Sequence, residues 1–99
     1  MRKIEREMLE AIHEGCKDWH KGNTRVHAVV GGMEVQLHGH RIATVDNDGI
    51  VWPDPDTWNR WPTNTTGSRL AALGVMNKAN GGSGTHWLDE RPVFVRKDF

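Results

Sequence analysis

The chain has 99 residues, and its thirteen basic and thirteen acidic side chains give a formal net charge of zero at pH 7. A chain this short buries only roughly 60 to 65% of its unfolded surface, so we expect a single domain over residues 1–99. Zero net charge excludes the overall field that draws a protein to nucleic acid or to an anionic membrane, and binding of either kind would then need a local patch.

The cysteine count and the first residues predict the compartment. Cys16 is the only cysteine, which excludes an internal disulfide, a zinc knuckle and a CxxC redox pair. The opening "MRKIEREMLEAI" is charged throughout and lacks the apolar core of a secretion signal. No run approaches the roughly 18 apolar residues of a membrane span. We therefore expect a soluble protein of a reducing cytoplasm, with no membrane partner.

An amphipathic helix is predicted from Arg2 to Glu14. Gly15 stands where helices commonly close with a left-handed residue, and the next stretch, "CKDWHKGN", is predicted as a loop. The apolar residues of the helix recur at three- and four-residue steps and form one face. They are Ile4, Met8, Leu9, Ala11 and Ile12.

Four short antiparallel strands are predicted next, in "TRVHAVV", "MEVQLH", "RIATV" and "IVW", with glycine in the turns between them. In the second strand Met33, Val35 and Leu37 alternate with polar residues, so one face of the sheet is buried and the other solvated. The first helix can cover the buried face. "DNDG" at 46–49 is predicted as a hairpin turn, because a calcium loop would need a glutamate where Pro55 stands.

The remaining elements are a loop, a helix and a terminal hairpin. "PDPDTWNRWP" is predicted as a rigid loop, and Thr65 or Thr66 as the N-cap of a helix through "SRLAALGVMNK", which Gly74 ends early. "ANGGSG" is predicted as a linker and "THWLDERPVFV" as two strands that turn at residues 89–91. The predicted inward residues of the helix are Leu70, Leu73 and Met76, and the apolar residues of the two strands are Trp87, Val93 and Val95.

These elements predict an α+β fold. An N-terminal helix packs on an antiparallel sheet of about four strands, followed by a second short helix and a C-terminal hairpin.

His38 and His40 form an H-x-H pair, a spacing that on a strand can chelate a transition metal. Gly39 between them indicates a tight turn instead, and further ligands would have to come from His27, His20 or an acid. We predict no metal site and no cofactor.

No catalytic motif accompanies the potential nucleophiles. Cys16, Ser68 and Ser83 stand outside any nucleophile elbow or cysteine-enzyme signature, and "GGSG" lacks the lysine of a phosphate-binding loop. Paired aspartates, such as Asp54 with Asp56, lie where aspartate favours turns. We therefore predict that the protein is not an enzyme.

The candidate partner-binding residues are Trp52, Trp58, Arg60 and Trp61. Tryptophan and arginine are enriched at the energetic centres of protein interfaces, and both also stack on nucleic-acid bases. Against this, the tryptophans could pack the start of the second helix onto the sheet, and we favour this for Trp61 more than for Trp58. The prolines on either side of the segment favour Trp58 as the exposed ring.

The ordered set "MLEAI", "GNTRV", "VQLHGHRIA" and "WPTNTTGSRLAALGV" resembles a group of small proteins of unknown function encoded by tailed bacteriophages. The likeness covers roughly residues 4 to 75. The resemblance implies a phage origin, action inside an infected bacterium and no catalytic role. "VWPDPDTWNRWP" and "NGGSGTHW" depart from the family pattern. The matching positions are Gly22, Asn23, Thr24, Leu37, His38, Gly39, Ile42, Ala43, Trp61, Thr65, Thr66, Arg69 and Leu70.

Together these features favour a non-enzymatic phage protein that binds a bacterial host protein in the host cytoplasm and modulates or inhibits it. Host takeover and anti-defence activity both fall within this hypothesis. One alternative is a single-stranded nucleic-acid-binding protein whose tryptophans stack beside Arg25, Arg41, Arg60 and Arg69. A virion accessory protein is another. Open edge strands also allow pairing with a second copy.

Overall fold

The computed structural model describes residues 2–78, 86–88 and 93–95, and it has the predicted α+β architecture. The helices are α1 (Lys3–Glu14), α2 (Pro55–Arg60) and α3 (Asn64–Ala72). The strands are β1 (Asp18–Lys21), β2 (Thr24–Val29), β3 (Gly32–Leu37), β4 (His40–Asp46), β5 (Ile50–Pro53), β6 (Met76–Lys78), β7 (His86–Leu88) and β8 (Val93–Phe94).

Helix α1 buries the predicted apolar face. Met8, Leu9 and Ile12 belong to the core, because their spacing places them on one side of the helix. Gly15 closes the helix with φ +68°, a left-handed conformation that glycine adopts without steric cost. The predicted helix and its C-cap are confirmed.

The main sheet is antiparallel and has the order β1-β2-β3-β4-β5-β8, with two more strands than predicted. Val26, Val35 and Val45 point into the core, which the sheet shares with α1 and α3. The alternate residues form a polar open face, where Arg25 donates to Asp18 and Gln36 donates to Glu34. One covered and one open face follow from the period of two in the sequence.

A β-bulge lies between β3 and β4. Val35 pairs with Ala43 and Gln36 with Arg41, so Ile42 is the extra residue. Ile42 and Ala43 are therefore both buried although they are neighbours on one strand.

Two segments predicted as loops contain regular structure. "CKDWHKGN" includes β1, in which Trp19 alone is partly buried. The strand therefore lacks the alternation of apolar and polar residues from which a strand is predicted. "PDPDTWNRWP" includes α2. The Asp54 side chain accepts a hydrogen bond from the Thr57 N–H, and Pro55 occupies the first turn, where a missing N–H costs nothing.

Helix α3 begins earlier than predicted. Its N-cap is Thr63, whose Oγ1 accepts a hydrogen bond from the Thr66 N–H at 3.1 Å, so the predicted caps Thr65 and Thr66 are wrong. Leu70 and Leu73 are fully buried as predicted. Gly74, at φ +88°, ends the helical stretch, and the buried Met76 lies in β6.

The terminal strands pair differently from the predicted hairpin. Strand β7 pairs with β6 in a small second sheet, whereas β8 pairs with β5 and extends the main sheet. Val95 lies in the core and Val93 packs against it. The predicted linker at 79–84 and turn at 89–91 lie outside the described residues, as does the side chain of Trp87.

Candidate binding surface around Trp61

Trp61 lies at the junction of α2 and α3 and is 40% exposed. Its N–H donates to the Thr57 carbonyl at 2.9 Å, and its own carbonyl accepts from the Thr63 N–H at 2.8 Å. The indole stacks on the His40 imidazole, with ring centroids 4.0 Å apart and planes inclined by 24°. These three contacts fix an exposed aromatic ring in one place. We call this ring pair the Trp61–His40 stack.

The Trp61–His40 stack separates two depressions. The first, which we call the apolar pocket, has a volume of about 230 Å³ and is lined by Leu37, His38, His40, Ile42, Thr57, Trp61, Thr63 and Thr66. The second, which we call the charged cleft, has a volume of about 440 Å³ and is lined by Gly39, His40, Arg41, Asp54, Asp56, Thr57, Arg60 and Trp61. His40, Thr57 and Trp61 line both depressions and form the wall between them.

Asp54 attaches α2 to the sheet beside this wall. One carboxylate oxygen caps α2 through the Thr57 N–H, and the other accepts from Arg41 Nε at 3.2 Å. Its backbone N–H donates to the Ile42 carbonyl at 2.9 Å. Burial raises the pKa of Asp54, but the hydrogen bonds that its carboxylate accepts and the Arg41 charge outweigh burial and lower that pKa below its ordinary value. The carboxylate is therefore ionised at neutral pH and neutralises Arg41.

His38 of the H-x-H pair lies in the turn between β3 and β4, and His40 is the first residue of β4. His38 has φ +52° and Gly39 φ +80°, so the tight turn predicted from Gly39 is present. The His38 N–H donates to the Asn23 carbonyl at 2.8 Å, which anchors this turn to the turn before β2. Among the described residues, no group of three or more His, Cys, Asp and Glu side chains could hold a metal ion.

The structure reverses the predicted exposure of Trp58 and Trp61. Trp58 is half-buried against the core and faces Gly67 of α3, whereas Trp61 is the exposed ring. A methyl group at Gly67 would lie 3.6 Å from Cη2 of Trp58, an ordinary van der Waals distance, so the indole packs closely over this part of α3. The helical turn of α2, which the prolines obscured in the sequence, directs Trp58 inward.

The four predicted site residues do not form one surface. Arg60 is exposed and lines the charged cleft next to Trp61. Trp52 is 54% exposed, and its Nε1–H donates to Asp46 at 3.0 Å. Thr44 of β4 pairs with Trp52 on one side and with Glu34, a residue of the open face, on the other. His40 of β4 instead pairs with Leu37, which points into the core. Trp52 and Trp61 therefore lie on opposite faces of the sheet.

Sequence reasoning missed the part that His40 plays. The sequence shows only its spacing from His38, and nothing local indicates that an imidazole of β4 lies against a ring that follows α2. Thr57 and Thr63 were missed for the same reason, since both line the apolar pocket only because of the helical turns around them.

Several of the positions that resemble the phage family lie in the apolar pocket or in a buried polar network. Leu37, Ile42 and Thr66 line the apolar pocket with Trp61. Elsewhere, Arg69 Nη1 donates to Glu5 at 2.8 Å and Arg69 Nε donates to Thr24 at 3.1 Å. This buried network joins α1, β2 and α3, so Thr24 and Arg69 are structural residues of the scaffold.

The sequence matches the Kyanoviridae Gp96 protein family over residues 1–91. The chain belongs to this family of cyanophage proteins. The predicted phage resemblance is thereby confirmed, over a longer range than the motifs covered. No curated protein and no solved structure matches the chain. In the part of this phage protein that the structure describes, no helix is both long and apolar enough to pass through a membrane.

Proposed function

We propose that this phage protein is a non-enzymatic binding protein that attaches to a protein of the bacterial host in the host cytoplasm and modulates or inhibits it. The observation that carries the proposal is the Trp61–His40 stack, an exposed indole held in place beside the exposed Arg60. Tryptophan and arginine anchors contribute most when they are already ordered before binding.

The arrangement of the arginines favours a protein over a nucleic acid as the partner. Arg25 makes two hydrogen bonds to Asp18, and Arg41 is paired with Asp54. Arg69 is buried with Glu5. Among the four arginines considered for nucleic-acid binding, Arg60 alone makes no ion pair with any described residue, and one arginine supplies little of the charge that such binding requires.

The hydrogen bonds of two candidate nucleophiles support the non-enzymatic part of the proposal. Ser68 donates its hydroxyl to the buried Glu5, and the Cys16 thiol lies 3.9 Å from a Glu14 oxygen. Neither hydrogen bond involves a histidine, the usual base for a serine or cysteine nucleophile.

The test is affinity capture from a cyanobacterial lysate, with nuclease-treated and untreated samples side by side. We expect one host protein to be retained after nuclease, and we expect Trp61→Ala and Arg60→Ala each to weaken its binding by about tenfold or more. Trp52→Ala is the matched control, because it removes an exposed indole from the opposite face and is expected to leave binding unchanged.

Three results would contradict the proposal. Equal binding by Trp61→Ala and the parent would show that the surface around Trp61 is not the binding site. Loss of all retained material after nuclease would show that the protein binds nucleic acid and not a host protein. Recovery of the protein in purified phage particles, without a host partner, would make it a virion component.

A further inference from the structure

We propose that the open face of the sheet is a second binding surface, which receives a basic segment of a protein on the exposed side chains of Ile50, Trp52 and Phe94. We call these three residues the Trp52–Phe94 patch. The inference goes beyond the proposed function, because this patch lies on the face opposite Trp61 and shares no residue with the surface around it.

The Trp52–Phe94 patch is continuous on the open face. Ile50 of β5 pairs with Phe94 of β8, and Trp52 follows Ile50 by two residues, so the three side chains point the same way and lie next to one another. Trp52 is 54% exposed and Phe94 is 70% exposed. Neighbouring apolar side chains that stay open to water are typical of interaction surfaces.

Asp46 holds the Trp52 ring in place. Its Oδ2 accepts from Trp52 Nε1 at 3.0 Å, and its Oδ1 accepts from the backbone N–H groups of Asp48 and Ile50 at 2.9 and 3.0 Å. The indole therefore needs little ordering when a partner binds. A tryptophan face with a carboxylate beside it suits a guanidinium or ammonium group, which the ring attracts through its π electrons and the carboxylate through its charge.

The arginines of the open face are compensated and do not repel a basic partner. Arg25 makes an ion pair with Asp18 at 3.0 Å, and Arg41 makes one with Asp54 at 3.2 Å. Neither guanidinium therefore contributes a net positive charge to this face.

Three carboxylates near the patch lack such a partner. In the described part of the chain, Glu34, Asp46 and Asp48 make no ion pair with lysine or arginine, and the imidazole of His27 lies 3.7 Å from Glu34. Glu34 and Trp52 pair with the same residue of β4 from its two sides, and Asp46 and Asp48 directly precede β5. This surface is therefore acidic although the whole chain has no net charge, and the imbalance favours a basic partner.

The experiment is a selection from a displayed library of random linear peptides on the immobilised protein. The library is first depleted on the double variant Trp52→Ala/Phe94→Ala, which removes peptides that bind elsewhere, including those that bind around Trp61. We expect the peptides that then bind the parent to be enriched in arginine or lysine beside apolar residues and to be poor in Asp and Glu.

The best peptide, synthesised, is titrated against the parent, Trp52→Ala and the charge variant Glu34→Gln/Asp48→Asn. Glutamine keeps the oxygen that accepts from Gln36, and asparagine keeps the backbone N–H that Asp46 accepts. Glu10→Gln is the matched control, because it removes an exposed carboxylate from α1, on the covered side of the sheet. Circular dichroism checks the fold of each variant.

We expect Trp52→Ala to weaken peptide binding by about tenfold or more, and the charge variant by about fivefold or more. Glu10→Gln should change it less than about twofold, and added salt should weaken binding to the parent. Failure to recover any peptide, enrichment of acidic or uncharged peptides, or full binding by the charge variant would overturn the inference. A concentration-dependent dimer of the parent that Trp52→Ala abolishes would also overturn it, since the occupant would then be a second copy.

The two proposals can fail separately. Loss of the basic peptide with Trp52→Ala supports the second surface whether or not a host protein is captured through Trp61. Capture of a host protein that Trp61→Ala abolishes supports the proposed function even where no basic peptide binds the open face.

Discussion

The guanidinium of Arg69 and the carboxylate of Glu5 form a pair in which both side chains are only 3% exposed. Ser68 and the backbone N–H of Arg2 donate to the same carboxylate, and Thr24 accepts from Arg69. Because both charges have lost nearly all contact with water, each depends on the other and on these hydrogen bonds. The pair therefore makes the contact between α1 and α3 sensitive to any change in the charge of either side chain.

We predict that Glu5→Gln lowers the free energy of unfolding by about 3 to 5 kcal/mol, because it leaves the Arg69 charge buried without its counterion. Chemical denaturation followed by tryptophan fluorescence measures the loss. Glu7→Gln is the control, since Glu7 pairs with Lys21 in water and its removal is expected to change stability little. Similar losses of unfolding free energy in the two variants would contradict the prediction, because they would show that burying the pair does not increase the cost of breaking it.

At the scale of elements, the start of α3 is fixed by one hydroxyl. We predict that Thr63→Ala destabilises the protein by about 1 kcal/mol, because the Thr66 N–H then loses its side-chain acceptor. Thr65→Ala, in the first turn of the same helix, is the matched control and is expected to cost less. The midpoints of thermal or urea unfolding give the comparison. A larger loss for Thr65→Ala would return the N-cap to the position that the sequence suggested.

The elements with a regular apolar period could be predicted from the sequence. Helix α1 and the strands β2 to β5 repeat their apolar residues every three to four or every two positions. Helix α2 could not be predicted in this way, because Pro55 breaks a helix in its interior but suits its first position. Strand β1 was missed because Trp19 is its one residue turned toward the core.

The candidate site could be predicted only in part. Trp61 and Arg60 were identified from residue type, which depends on general interface chemistry. The exposure of Trp61 depends on the turn of α2 and on His40, a residue brought there by the pairing of β4 with β3 and β5. Such a contact between distant parts of the chain leaves no periodic signal in either segment.

At the scale of the whole molecule, ionised carboxylates hold separate parts of the fold together. Asp54 joins α2 to β4, and Asp18 joins β1 to β2 through Arg25. The carboxyl groups whose pKa lies below the ordinary values of 4.5 for Glu and 3.8 for Asp are Glu5, Glu7, Asp18, Asp46 and Asp54.

These lowered pKa values predict a loss of stability in acid. The unfolded chain takes up protons at the ordinary values, while the folded chain resists protonation until lower pH. The free energy of unfolding is therefore expected to hold above about pH 5 and to fall progressively as the pH drops below 4.5 and then below 3.8. Urea unfolding at a series of pH values measures it. A midpoint that stays constant from pH 6 to pH 3 would contradict the prediction, and Glu5→Gln should flatten part of the slope.

The Glu5–Arg69 pair also sets an order of events while the protein is being made. Glu5 leaves the ribosome 64 residues ahead of the arginine that neutralises it, and the hairpins from β2 to β5 can close in the meantime with neighbours in sequence. Until Arg69 arrives, placing Glu5 in its final position would bury a lone charge. We therefore expect the final burial of Glu5 to coincide with the arrival of α3, because Ser68 and Arg69 of that helix supply both the hydrogen bond and the charge that its carboxylate needs.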